Sequence, residues 1–229
     1  MDSLTRKLVI EFLSDFVTPS RLEKIQQVLS GRTRHVTVVL EDIYQPHNAS
    51  AVLRSCECFG VQDVHIIENR NDYEINPEVV MGATKWLNLH RYRDGEFNTK
   101  ACLSKLKQQG YQLIATSPHE DDFTPLNLPL DKPVALLFGT EQEGLSPLAK
   151  QMADYFVRIP MAGFTESFNI SVSAAICLYE LTNRLRKSDI PWPLTEDQHD
   201  ELQLAWLKAS IKSPELLVKR FLETRPANH

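Results

Sequence analysis

The sequence has no apolar run approaching the ~20 residues needed to cross a bilayer, so no membrane-spanning helix is expected. Its opening stretch, MDSLTRKLVIEFLSDF, carries acidic residues and lacks a long apolar centre, so no secretory leader is expected either. Paired-cysteine spacing is also missing. Cys56, Cys58, Cys102 and Cys177 stand in helix-like segments, without C-x-x-C and without histidines at zinc spacing. That pattern predicts buried, reduced thiols in a cytoplasmic protein, with no metal site. Neither G-x-G-x-x-G nor G-x-x-x-x-G-K-[ST] occurs, which leaves a dehydrogenase or a small NTPase poorly supported. No internal repeat or low-complexity run is visible. An excess of positive charge is absent as well: the formal net charge is −5. Taken alone, this argues against nucleic-acid binding. Basic residues do cluster, at Arg32 and Arg34, at Lys85, Arg91 and Arg93, and at Lys219 and Arg220. Each cluster reads either as a solvated face or as a phosphate contact.

What is present is a strand–helix alternation. HVTVVLEDI (35–43), VHIIE (64–68), a short strand at 87–92, YQLIATS (111–117), VALLFG (134–139) and YFVRIPM (155–161) read as strands. Between them NASAVLRSCECFG (48–60), a stretch near 78–86, NTKACLSKLKQQG (98–110) and 147–153 read as helices. In the first of these, Asn48 stands as the cap and Gly60 as the stop. A long helix from Phe168 to about Lys187 presents Ile170, Ala174, Cys177, Leu178, Leu181 and Leu185 as an apolar stripe. Such alternation with continuous apolar strands predicts an α/β domain with a mostly parallel sheet, placed at 35–187. Residues 1–34 read as one or two short helices, and 188–229 as a C-terminal extension with helices at 196–212 and 214–223.

In parallel α/β sheets, ligands sit at the carboxyl ends of the strands. Three loops at such places carry polar residues. QPHNASAVLRS offers Asn48, with Arg54 about a turn beyond Ser50; taken alone, the segment reads more readily as a helix cap and a surface arginine paired with Glu57. FGTEQEG sets Gly139, where a ligand can approach the backbone, before Glu141 and Glu143 on a turn closed by Gly144; a plain turn is the other reading. IPMAGFTESFNISVSAA brings Ser167, Asn169, Ser171 and Ser173 to the entry of an apolar helix. Capping accounts for one of these four residues but hardly for all of them.

In this order and spacing, NASAVLRS, FGTEQEGLS and IPMAGFTESFNISVSAA resemble the three signature motifs of the SpoU/TrmH group of SPOUT RNA ribose 2′-O-methyltransferases. The resemblance covers about 35–187. The short helical ends are most similar to those of the tRNA guanosine-18 2′-O-methyltransferases, because ribosomal RNA members often carry a larger N-terminal RNA-binding domain. It implies a SPOUT-type parallel sheet with a deep C-terminal trefoil knot, S-adenosylmethionine as cofactor, a structured RNA such as tRNA as partner, and a homodimer with sites built across its interface. It also implies a cofactor pocket walled by Thr116, Gly139, Ile159, Met161 and Phe168, with Phe168 standing where many relatives have Leu. The catalytic set it implies is Arg54, Asn48, Glu141, Ser167 and Asn169, with no metal. A ribosomal RNA methyltransferase and a catalytically silent RNA-binding relative are the alternatives. The seven histidines are scattered, and His47 reads as a loop residue rather than a base.

Overall fold

A computed structural model of the chain describes residues 1–71, 73–74, 76–120 and 122–224. In chain order its helices are α1 (Ser3–Ser14), α2 (Pro19–Leu29), α3 (Pro46–Phe59), α4 (Pro77–Val80), α5 (Asn98–Gln108), α6 (Pro147–Met152), α7 (Ile170–Arg186), α8 (Glu196–Ser210) and α9 (Pro214–Glu223). The strands are β1 (Val36–Glu41), β2 (Asp63–Ile67), β3 (Asn88–Tyr92), β4 (Gln112–Thr116), β5 (Val134–Phe138) and β6 (Tyr155–Val157). The described chain divides into an α/β unit, Thr33–Trp192, and a helical unit made of Met1–Arg32 and the segment from Pro193 onward.

The α/β unit is a six-stranded sheet in the order β3-β2-β1-β5-β4-β6, and every pairing is parallel. β1, β2 and β5 are buried along their whole length, which is why β5 is apolar throughout and β1 and β2 are mostly so, with Thr37, Glu41, Asp63 and His65 as buried polar exceptions. Their side chains still alternate between two faces. Val38, Leu40, Leu136 and Phe138 pack with Leu53 of α3 and Leu178 of α7, whereas Val39 and Leu137 pack with Leu103 of α5 and Ala149 of α6. The unit therefore has three layers, and the loops at the strand ends lie above a rigid sheet.

Several boundaries differ from the sequence reading. α3 starts at Pro46, with Gln45 as its cap, so Asn48 is inside the first turn rather than capping it. Proline's fixed φ and missing N–H suit that first position. His47 accordingly sits on a helix and not in a loop. The stretch near 78–86 splits into α4 and a 3-10 turn (Ala83–Trp86), because Met81 and Gly82 both take left-handed conformations, with φ of 50° and 76°. β6 stops at Val157, opposite Thr116, the last residue of its partner β4. Past that point the backbone pairs with the 120s loop instead, the Arg158 amide donating to the Phe123 carbonyl at 2.9 Å. Cys58 is exposed, while Cys56, Cys102 and Cys177 are buried free thiols as expected.

In the helical unit, Val9 and Leu13 of α1, Leu29 of α2 and Leu202 and Leu207 of α8 form the core. Phe12 stacks on Phe221 at 4.4 Å between ring centroids. Arg32 is only 1% exposed and lies 5.1 Å from the Trp206 ring centroid, so it belongs to this core and not to a solvated basic face.

Two loops anchor the strand ends. Glu41, 2% exposed at the end of β1, accepts hydrogen bonds from Thr99 Oγ1 (2.7 Å), Ser146 Oγ (2.8 Å) and the Ser146 amide (2.8 Å). Ser146 in turn caps α6 through the Ala149 amide at 3.1 Å. Between β5 and this anchor, the Thr140 and Gly144 backbones exchange two hydrogen bonds of 3.0 Å, and Gly144 has φ 70°. The turn closes so tightly on Gly139 that a Cβ there would stand 2.1 Å from the Gly144 carbonyl carbon.

On the α5 side of the sheet, buried His65 stacks on His90 at 4.6 Å, and burial, followed by the charge of His90, pushes its pKa down to about 4. The folded chain thus keeps His65 neutral while the unfolded chain protonates it below ~6.5. Stability from this residue is fully present above ~6.5 and is lost as pH falls towards 4. Urea unfolding is expected to show a loss of roughly 1 kcal/mol per pH unit between pH 6.5 and 5, and His65→Gln is expected to flatten that slope. Gly139→Ala is expected to lower stability by about 1–3 kcal/mol in the same assay at pH 7.5, since the clash is with backbone and not with a flexible side chain.

Candidate active site at the strand ends

A cavity of about 510 Å³ opens beyond the ends of β4, β5 and β6. Thr116 comes to it from β4 and Gly139 from the β5 loop, while Ile159, Met161 and Phe168 come from the segment between β6 and α7. All five residues expected to hold a cofactor therefore share one wall system. Thr116 is fixed by donating its hydroxyl to the Leu137 carbonyl at 2.8 Å. Of the five residues expected to act chemically, Glu141, Ser167 and Asn169 also line the cavity, whereas Asn48 and Arg54 do not.

Asn48 is joined to the cavity by hydrogen bonds. Asn48 is 3% exposed, and both its amide hydrogens and its amide oxygen have partners. Nδ2 donates to Gln45 Oε1 (3.1 Å) and to Glu141 Oε1 (2.5 Å), and Oδ1 accepts from Asn169 Nδ2 (3.1 Å). An amide has two donor hydrogens and one oxygen, so this set of partners orients it uniquely. Asn169 then accepts from the Ser171 amide (2.8 Å) and hydroxyl (2.6 Å), capping α7. One connected chain of side chains thus links the first turn of α3, the loop after β5 and the start of α7. Removing a partner from so buried an amide costs about 1–3 kcal/mol.

The polar residues at the entry of α7 have separate tasks. Asn169 and Ser171 serve the cap and the link to Asn48, while Ser167 and Ser173 face the cavity together with Cys177 further along the helix. Arg54 lies two turns into α3, exposed, and its guanidinium has no hydrogen-bond or ion-pair partner among the described residues. The expected pair with Glu57 does not form.

Sequence reasoning passed over Ser117, His119, Lys150 and Glu166, which also line the cavity. Ser117 was the most accessible of these, since it follows directly on a strand end. Its hydroxyl donates to the Glu120 carboxylate, the main reason that carboxyl is held below the usual range. Glu166 lies within the third motif, next to Ser167, whereas His119 and Lys150 reach the cavity through loop and helix placement that no local pattern announces.

Four of the clustered basic residues are engaged in ion pairs, Arg93 with Asp94 at 3.7 Å and Lys219 with Glu223 at 3.9 Å among them. Arg34 pairs with Asp63 at 3.0 Å, and Arg91 binds Glu68 through two nitrogens at 2.6 and 2.9 Å. Burial disfavours the charge of Asp63, but His90, Arg34 and Asn88 outweigh it and keep its pKa low. Among the described residues, no group of three or more His, Cys, Asp or Glu is arranged to hold a metal ion, and no helix is long and apolar enough to cross a membrane.

The family model described as the SpoU rRNA Methylase family matches residues 35–179. A tRNA (guanosine(18)-2′-O)-methyltransferase of Borreliella burgdorferi is 42% identical over 204 residues, covering 89% of this chain and 92% of that protein. The enzyme of the same name from Thermus thermophilus is 34% identical over 173 residues, covering 76% of this chain and 87% of its own length. Among solved structures, the TrmH/SpoU tRNA modifying enzyme of A. aeolicus superposes with a TM-score of 0.73 at 27% identity, covering 85% of this chain and 98% of that one. The SpoU methyltransferase AviRb of Streptomyces viridochromogenes, solved with the cofactor AdoMet, gives a TM-score of 0.58 at 26% identity over 71% of this chain and 62% of its own. With the family model spanning most of the α/β unit, and relatives extending over much of the chain, the protein belongs to the SpoU rRNA methylase family.

Proposed function

We propose that this chain transfers a methyl group from S-adenosylmethionine to a ribose 2′-hydroxyl of tRNA, that of the D-loop guanosine 18. The observation that carries this reading is the Asn48 amide, which ties Glu141 and Asn169 together at the rim of the strand-end cavity. The cavity suits the cofactor. Its 510 Å³ lies in the range of small-molecule sites, Ile159, Met161 and Phe168 offer an apolar wall to an adenine, and Glu141 offers negative charge to a sulfonium. The tight turn at Gly139 leaves its backbone bare of a side chain, so a ligand can lie directly against it.

When bound, the cofactor supplies a methyl group already activated on a sulfonium. The protein's work is then to align a sugar oxygen with that carbon and to manage one proton. Arg54 is suited to stabilise the alkoxide as it develops and to clamp a neighbouring phosphate with its planar fork. It is a poor proton acceptor, because a charged guanidinium has no lone pair to offer. Asn48 and Glu141 position the ribose side of the site, and Ser167 and Asn169 close the pocket. A ribosomal substrate is the weaker reading. The family model bears the ribosomal name but covers only the common core, whereas the tRNA-modifying relatives extend beyond it.

Arg54 lies outside the cavity of its own chain, which supports a homodimer in which each arginine serves the partner's cavity. Val172 and Tyr179 stand 43% and 59% exposed on α7, as an interface helix would present them. The chain path fits the threading of a trefoil knot: β5 enters between β1 and β4, β6 leaves to the outer side of β4, and α7 returns to pack on α3. We place the enzyme in the cytoplasm with its tRNA.

With labelled S-adenosylmethionine and bulk tRNA, label is expected at the D-loop guanosine ribose, and Arg54→Ala is expected to lower kcat by at least ~100-fold while leaving cofactor affinity unchanged. Mixing Arg54→Ala with the pocket variant Asn169→Ala is expected to restore activity, since one site of the mixed dimer has both an intact pocket and an intact arginine. Failure of the mixture to recover activity contradicts the shared site.

A further inference from the structure

Among the described residues lining the cavity, Lys150 is the one lysine or arginine, against Glu141, Glu143 and Glu166 as acids. The donor required by the reading above carries a neutral nucleoside, a cationic sulfonium, a cationic ammonium and one carboxylate. Acidic side chains match its two cations, which leaves its single anion to be matched by a single cation of the wall. Lys150 has the freedom for that task. It is exposed, and its ammonium has no hydrogen-bond or ion-pair partner among the described residues. Its charge acts at the Ser117–Glu120 turn, where the Ser117 hydroxyl is the first cause of the lowered Glu120 carboxyl and Lys150 a smaller one.

The backbone under Lys150 is fixed independently of any ligand. α6 is capped by Ser146, whose amide and hydroxyl are both held by buried Glu41 at 2.8 Å. Binding therefore has to order only the lysine side chain, not the helix that carries it.

We propose that Lys150 is the anion-binding contact of this cavity and takes the carboxylate of the donor's amino-acid tail. The assignment rests on the methyltransferase reading but is separable from it by choice of ligand. Three ligands are titrated calorimetrically into the full chain and into Lys150→Gln and Lys150→Arg: S-adenosylmethionine, its decarboxylated form, and 5′-methylthioadenosine, which lacks the whole amino-acid tail. Lys150→Gln is expected to weaken S-adenosylmethionine about tenfold, the order of a charge-assisted bond at a partly exposed site, and to leave the other two ligands within about twofold. Lys150→Arg, which keeps the charge, is expected to stay close to wild type for all three. If 5′-methylthioadenosine binds and Lys150→Gln leaves S-adenosylmethionine affinity intact, this inference alone is overturned. Equal losses for all three ligands overturn it too, as does a loss of tRNA affinity with donor affinity kept, which assigns Lys150 to an RNA phosphate. If the wild-type chain binds none of the three, the methyltransferase reading falls and takes the inference with it.

Discussion

A single buried amide holds the site together. Asn48 has almost no solvent to fall back on, so its amide depends on protein partners, and two of them, Glu141 and Asn169, come from segments far away in the chain. This demand works in both directions. Glu141 and Asn169 fix the amide, and the amide fixes the loop after β5 relative to the start of α7. The loop can reach Glu141 into place only because Gly139 and Gly144 let it turn back on itself at once, and because Glu41 pins its far end at Ser146. Sheet, turn and cap thus form one sequence of constraints that ends at the cavity rim.

Charge is distributed along the same lines. The proposed work on RNA asks an acidic chain to keep positive charge where the chemistry needs it, and much of its arginine is committed elsewhere. Arg32 is buried against Trp206, Arg34 meets Asp63, and Arg91 meets Glu68. Arg54, by contrast, is exposed and has no hydrogen-bond or ion-pair partner among the described residues, a state that costs little on a surface. The net charge counted from composition hides this division between arginines that hold the fold and arginines left exposed.

Much of the sheet was legible because parallel strands buried on both faces are largely apolar. The segments around Val36–Glu41 and Val134–Phe138 announce themselves in that way. The three loop motifs were legible as well, since Gly, Asn and Glu at strand ends are hard to explain by packing. The role of Asn48 was misread because an asparagine near a helix start looks like a cap. Pro46 just before it was the overlooked sign that the helix had already begun. The burial of Arg32 and the approach of Lys150 to the cavity depend on contacts between distant segments, and neither leaves a periodic trace in the local sequence. The joining of the two chain ends into one helical unit is of the same kind: each end shows only its own amphipathic spacing.

The central claim is that Asn48 and Glu141 act as one device in shaping the cofactor site. A double-mutant cycle on S-adenosylmethionine affinity, using Asn48→Ala, Glu141→Gln and the pair together, measures this directly. The account predicts a coupling of about 1 kcal/mol or more, with the double variant little worse than the more damaging single one. Strictly additive losses would show that the two side chains work independently, and would contradict it.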